Sequence, residues 1–208
     1  MNQNEVSNYG WTDDIPESSG YLLEAVRSVV SALKPSSLLD MGCGNGSVLR
    51  GLGDLCARRY GCDADAQGLE IARQADPSAT YVQTQITPGV VPQVPGGPFA
   101  AIVSTEVIEH LYTPDDLFIM AKAHADQSTS LIITTPYHGW LKNVMLSLTG
   151  HWDTHHTPLW TGGHIKFWSR ATLTALAERN GWRATRFAGV GRGPFLWKSM
   201  LMIFKLAA

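Results

Sequence analysis

The sequence predicts an α/β fold, a doubly wound, seven-stranded and mostly parallel sheet with an antiparallel last strand. Three observations predict it. A strand, a glycine turn and a helix follow one another between Ser37 and Leu52. Apolar or alternating runs then take turns with segments of helical period along the chain. At the C-terminal end two strands are joined by a glycine- and proline-bearing turn instead of a helix, which suits an antiparallel pair. With 208 residues there is room for a single domain over 1–208 and little for a second.

The glycine turn comes first. In SLLDMGCGNGSVLRGL, Leu38, Leu39 and Met41 surround Asp40 as at the end of a buried strand. Gly42, Gly44 and Gly46 alternate, and Val48, Leu49 and Leu52 return at helical spacing. Glycines there let the chain turn sharply and let a ligand lie against bare backbone. The helix that follows offers unpaired N–H groups and a positive dipole end. The spacing is G-x-G-x-G, not the dinucleotide G-x-G-x-x-G, and no Gly-Lys-Ser/Thr follows. Asp40 repels a pyrophosphate but can accept hydrogen bonds from a ligand ammonium, directly or through water. A cationic, phosphate-free nucleoside fits better than either phosphate ligand. DMGCGNG resembles the first motif of class I S-adenosylmethionine-dependent methyltransferases. The resemblance implies a Rossmann-like sheet, S-adenosyl-L-methionine as cofactor, and Asp40, Gly42, Cys43 and Gly44 among its contacts.

Residues 1–34 form an N-terminal lid and helix. Tyr9 and Trp11 are aromatics in a polar start; each can pack on the core, and the resemblance places such a segment over cofactor and substrate. This makes Trp11 a cofactor contact and Tyr9 a substrate contact. Leu22, Leu23, Val26, Val29, Val30 and Leu33 give a helix from Ser18 or Ser19 to Lys34, with a serine cap. Tyr21, in its first turn, faces the pocket or packs. Cys56 to Asp65 is a weak second strand, and an acid at its end can hold two vicinal ribose hydroxyls, because a carboxylate only accepts. GCDADAQGLEIAR resembles the second methyltransferase motif and makes Asp63 that ligand, with Ala64 beside it; Asp65 is the competing choice and otherwise caps the helix from Ala66 to Ala75. Ala79 to Ile86 alternates as a third strand, ending near Gln85, where many relatives place an acid for the adenine amino group. Residues 87–98 are an irregular connection. Phe99 to Thr105 is a buried fourth strand.

Glu106-Val107-Ile108-Glu109-His110-Leu111 follows at the carboxyl end of that strand, where a doubly wound sheet places ligands. Coiled helically, Glu106, Glu109 and His110 share one face. They can bind a divalent cation, hold a proton-accepting His, or simply complement a helix dipole. EVIEHL resembles the ubiquinone-pathway O-methyltransferases and the small-RNA 2′-O-methyltransferases, in which this motif and one later His hold magnesium. His164, in GGHIKFWSR, resembles that later His. The resemblance implies Glu106, Glu109, His110 and His164 as a metal set with Mg2+, His110 and His164 as catalytic residues, and Glu106 at the cofactor's methionine end.

Pro114 to Ala125 is a helix and Ser130 to Thr135 a fifth strand buried on both faces. Residues 136–168 carry five of the seven histidines and four tryptophans. So long an insertion reads as an acceptor cap or as an aromatic lid packed on the sheet edge, with Leu141 to Leu148 a short helix in it. Tyr137, His138 and Trp160 are its expected substrate contacts. A helix from Ser169 to Asn180, a strand from Trp182 to Val190 and a last strand from Ser199 to Leu206 complete the chain.

Charged residues make up 16% and hydrophobic ones 44%, with a formal net charge of -2. Such a balance gives no electrostatic footprint for nucleic acid. No apolar run spans a bilayer, the start MNQNEVSNYG is not a signal peptide, and Cys43, Cys56 and Cys62 have no metal spacing. A cytoplasmic enzyme acting on a small-molecule acceptor is expected, most simply an O-methyltransferase; oligomeric state is silent. An RNA 3′-end 2′-O-methyltransferase, a non-catalytic adenosylmethionine-binding module and a nicotinamide dehydrogenase are the competing readings.

Overall fold

The computed structural model describes residues 10–12, 17–156, 158–160 and 162–207. The strands are β1 Leu38–Met41, β2 Arg59–Asp63, β3 Thr80–Gln83, β4 Ala101–Thr105, β5 Ser130–Pro136, β6 Trp182–Val190 and β7 Ser199–Leu206. The helices are α1 Glu17–Leu33, α2 Ser47–Gly51, α3 Ala66–Ala75, α4 Asp115–Ala123, α5 Trp140–Leu148, α6 Trp152–His156 and α7 Arg170–Arg179. The strands form one sheet in the order β3-β2-β1-β4-β5-β7-β6. The first five pair in parallel, and β7 runs antiparallel to both of its neighbours. The expected doubly wound sheet with an antiparallel last strand is what forms.

Alternation in β1 sorts the two cores. Leu39 and Met41 point to one face, packed with Phe99, Ile102, Phe118, Trp182 and Phe204. Leu38 points to the other, with Val26, Val30, Leu49, Leu69 and Val103. Helices α4 and α7 cover the first face, and α1, α2 and α3 the second. Strand β5, SLIITTP, is buried along its whole length, as a central strand covered on both faces must be.

Local signals set several ends as expected. Asp65 caps α3, accepting from the Gly68 N–H at 2.9 Å. Ser169 and Thr172 form a reciprocal capping box on α7. Other ends differ. Helix α1 begins at Glu17, which places Ser18 and Ser19 inside its first turn rather than at a cap. Strand β3 stops at Gln83 instead of Ile86, because Pro88 and Gly89 turn the chain between the bridged residues Thr87 and Val90. Strand β2 begins at Arg59, which is buried and paired with Asp76 at 2.8 Å. Helix α6 carries no sequence signal of its own, since WDTHH is too short to show a period. No described helix is long and apolar enough to cross a membrane.

Candidate active site

The carboxyl ends of β1, β2, β4 and β5 open on a cavity of about 990 Å³. Ligands of doubly wound sheets bind at this end of the strands. Gly42 lines it with φ of +79°, and a Cβ there would lie 2.4 Å from Val107 Cγ2, so only glycine fits. Its N–H donates to the Cys62 carbonyl at 2.8 Å. Asp63, also lining the cavity, accepts from the N–H groups of Gly44 (2.8 Å) and Asp65 (2.9 Å). Each oxygen keeps a lone pair for a ligand. Burial raises the proton affinity of Asp63, and these backbone bonds oppose it. Ala64, Gln85 and Trp11 line the same end.

Three expected cofactor contacts stand elsewhere. The Trp11 indole lies over Gly44, so that a Cβ on Gly44 would sit 2.3 Å from Trp11 Cζ2. The Cβ-free face expected to receive a ligand is therefore covered by an apolar ring. Gln67 Nε2 donates to the Trp11 carbonyl (3.1 Å) and Asn45 Nδ2 to that of Thr12 (2.9 Å), tying the segment down. Gly44 and Cys43 do not line the cavity, and burial pushes the Cys43 thiol well up. Asp40 does not reach it either, because alternation turns its side chain to the Leu38 face. The carboxyl is 1% exposed and neither oxygen has a partner among the described residues. Burial, then the charge of Asp63, pushes it up to about 7.

Glu106 begins the second half of the site. It has φ of +54°, a left-handed conformation that costs a non-glycine residue about 1–3 kcal/mol and collects at functional sites. Its N–H donates to the Thr134 carbonyl at 3.1 Å. Its carboxylate accepts from Thr134 Oγ1 (3.1 Å) and Ser199 Oγ (3.2 Å). Burial raises it to about 7, and those two bonds with the Lys142 charge hold it from going higher. Ile108–His110 then form a single 3-10 turn. Glu109 is fully buried; Oε2 accepts from Thr135 Oγ1 at 2.9 Å, and Oε1 has no hydrogen-bond partner among the described residues. Burial and Glu106 raise its proton affinity strongly. The Glu109 carbonyl accepts from the N–H groups of Ile165 and Lys166, each at 3.0 Å. Those two bonds bring His164 Nε2 to 4.0 Å from Glu109 Oε1.

One ligand atom each from Glu109, His110 and His164 lies within 4.8 Å of the others. His110 Nδ1 pairs with the Gly162 carbonyl at 2.8 Å. Burial lowers the proton affinity of His110 and takes His164 down to about 4. The expected metal set thus comes together without Glu106, whose carboxylate is turned to Thr134 and Ser199. The orphaned Glu109 oxygen facing two imidazoles fits a cation. Two nitrogens and one oxygen suit a borderline transition metal better than Mg2+, which favours oxygen donors.

Of the expected substrate contacts, Trp160 lines the cavity, edge-on to His110 at 6.0 Å. Tyr137 does not; its ring packs on Trp197 (5.1 Å) and Phe187 (6.4 Å). His138 is buried against His155, His156 and Phe167 instead of facing the cavity. Tyr9 lies outside the described residues. Lining residues that the sequence did not single out are Lys142, Arg192, Lys198 and Ser199, and His155 and His156 join them from the histidine-rich segment expected to cap the acceptor. Lys142 is 4% exposed, donates to the Lys198 carbonyl at 3.2 Å, and is lowered to about 8 by burial. Its one signal was a single charge within the otherwise uncharged helix WLKNVMLSL. Tyr21 does face the cavity, its hydroxyl 2.8 Å from Ser199 Oγ.

A model of the methyltransferase domain matches residues 19–186. The chain belongs to the methyltransferase domain family. It is a class I, S-adenosylmethionine-dependent member, as its sheet order also indicates. Two ubiquinone biosynthesis O-methyltransferases are similar to it, from Ruegeria sp. (27% identity, 77% of this chain) and Brucella anthropi (26%, 76%). The chain spans 66% and 64% of the length of those relatives. The structure of magnesium protoporphyrin IX methyltransferase from Synechocystis, with bound SAH, superposes with a TM-score of 0.68 at 18% identity. That match covers 98% of this chain and 92% of that one. The methyltransferase domain of bacterial CtHen1 gives 0.64 at 22% identity, over 88% and 97%. These structural likenesses carry the fold.

Proposed function

We propose that this domain transfers the methyl group of S-adenosylmethionine to a hydroxyl oxygen of a small acceptor. The observation that carries the reading is one continuous cavity. It joins Asp63 and Gln85 at one end to Glu106, His110, His164 and Trp160 at the other. The residues fit the cofactor: Asp63 offers acceptors to vicinal hydroxyls, Gln85 an amide to the adenine edge, and the Glu106 carboxyl charge near the ammonium end. Residues 136–168 act as the acceptor cap. The likeness to ubiquinone biosynthesis O-methyltransferases supports oxygen as the acceptor atom.

The cofactor supplies an electrophilic methyl carbon on a sulfonium. The acceptor oxygen attacks that carbon, the carbon–sulfur bond breaks, and the sulfur leaves as a neutral thioether. Alignment supplies most of the acceleration. The hydroxyl proton must go to a base. Burial holds both His110 and His164 below the ordinary imidazole range, which favours the neutral form that takes a proton. His110 pairs its Nδ1 with the Gly162 carbonyl at 2.8 Å, which sets the tautomer with Nε2 as the basic nitrogen, and it stands beside Trp160, so His110 is the one assigned. A divalent cation, if held by Glu109, His110 and His164, would lower the pKa of a bound hydroxyl and take over the part of the imidazole base.

Labelled S-adenosylmethionine offered with phenols, sugars and RNA 3′ ends tests this. A methyl ether on a small hydroxyl compound is the expected product; label on nitrogen or carbon overturns the reading. The Glu109–His110–His164 cluster favours one second reading, 2′-O-methylation of RNA. Against it, the formal net charge of -2 gives no overall attraction to a polyanion. Tight, salt-dependent RNA binding with label on a terminal ribose would establish it instead.

A further inference from the structure

The cap holds a second set of metal-type donors that the methyl-transfer reading does not use. His138 follows β5, and His155 and His156 end α6. One ring nitrogen from each lies within 4.8 Å of the other two. The ring centroids are 4.9, 5.4 and 5.8 Å apart. His138 is 7% exposed, and the Nε2 atoms of both His138 and His156 are buried with no hydrogen-bond partner among the described residues. Phe167 lies edge-on to His138 at 5.1 Å and to His156 at 4.9 Å, and Trp152 packs on His156 at 4.3 Å. Three imidazoles crowded in an aromatic box, two with orphaned nitrogens, are costly unless something binds them.

We propose that His138, His155 and His156 form a binding site for a borderline divalent transition metal such as Zn2+, which clasps α6 to the end of β5. Three neutral nitrogen donors with no carboxylate exclude Mg2+ and Ca2+ as ligands of choice and suit Zn2+, Co2+ or Cu2+. Three protein ligands leave a fourth position on a tetrahedral ion. His155 and His156 line the cavity, so that position opens toward the acceptor end. His138 is fixed from the sheet side, its N–H donating to the Trp168 carbonyl at 2.9 Å. The cap segment carrying the other two lies 17 residues and more further on. Closing that loop through a metal orders the cap and shapes the acceptor end, while the cluster of Glu109, His110 and His164 is a separate set of donors.

The test uses untagged, chelator-treated full chain titrated with Zn2+ and with Co2+. The readouts are bound metal per chain by elemental analysis, the visible bands of tetrahedral Co2+, and protease cleavage within 149–162. Wild type should bind an equivalent that His156→Gln and His155→Gln lose and Glu109→Gln keeps, with cleavage slowed by Zn2+ in wild type and Glu109→Gln only. Equal metal content in wild type and in both folded His variants overturns the proposal. So does loss of the same equivalent in Glu109→Gln, which would make the donors one shared site. Because no step of methyl transfer is read, a failure of the clasp leaves the proposed reaction untouched, and the reverse also holds.

Discussion

The two ends of the cavity are built by different means. The end proposed for the cofactor is main chain and strand ends: Gly42 at the close of β1, Asp63 at the close of β2, and the N–H groups they fix. Its parts lie within about two dozen residues of sequence, apart from Trp11 and Gln85. The end proposed for the acceptor is side chains brought from the 3-10 turn, residues 136–168 and the start of β7. Its acids are buried and raised and its imidazoles are buried and lowered. A local, backbone-built site tolerates change in the rest of the chain. A converged, side-chain site depends on the cap being in place, and it is where specificity can change without loss of the cofactor.

If that division is right, substitutions at the two ends should separate turnover from cofactor affinity. His110→Ala should lower turnover by roughly 10²–10⁴-fold, the usual range for a lost general base. Cofactor affinity by calorimetry should stay within about threefold, since the two ends share no side chain. Equal losses in both would erase the distinction. Asp63→Asn should act the other way, weakening the demethylated cofactor by about 10–100-fold, the scale of charge-assisted hydrogen bonds lost to ribose. Trp11→Ala should cost less, about 3–10-fold in affinity, on the scale of one partly buried aromatic contact. A change in turnover alone would move Trp11 to the acceptor side.

The smallest effect concerns Asp40. Its carboxyl is held near 7 against an ordinary 3.8 by burial first and by Asp63 second. Between those values the folded protein keeps a proton that the unfolded chain has released. Asp40 therefore contributes a loss of stability as pH rises from about 4 to about 7, and nothing below that window. Asp40→Asn removes this loss, so its melting temperature should climb relative to wild type across that window. A constant difference would mean the carboxyl is ionised in the fold.

Legibility follows the same division. Alternate glycines after an apolar run read directly as a turn, and an acid after the next short strand reads as Asp63, because both signals are local. Asp40 sits inside that motif, yet its direction depends on strand alternation relative to a core that periodicity over four residues does not orient. Ser199 and Lys198 were invisible for another reason. They reach the cavity only because β7 inserts antiparallel between β5 and β6, placing Ser199 beside Pro136. His164 was found by its resemblance alone; the bonds from Ile165 and Lys166 to the Glu109 carbonyl are what bring it in. Helix α6 gave no periodic signal, and its two histidines became significant only once His138 stood against them.

The most direct test is calorimetry of the purified full chain with S-adenosylhomocysteine, set beside NAD under the same conditions. Saturable heat at one site per chain with the former, and none with the latter, is the result expected of a sulfonium nucleoside pocket ending at Asp63. Heat with NAD alone, or with neither, would contradict it.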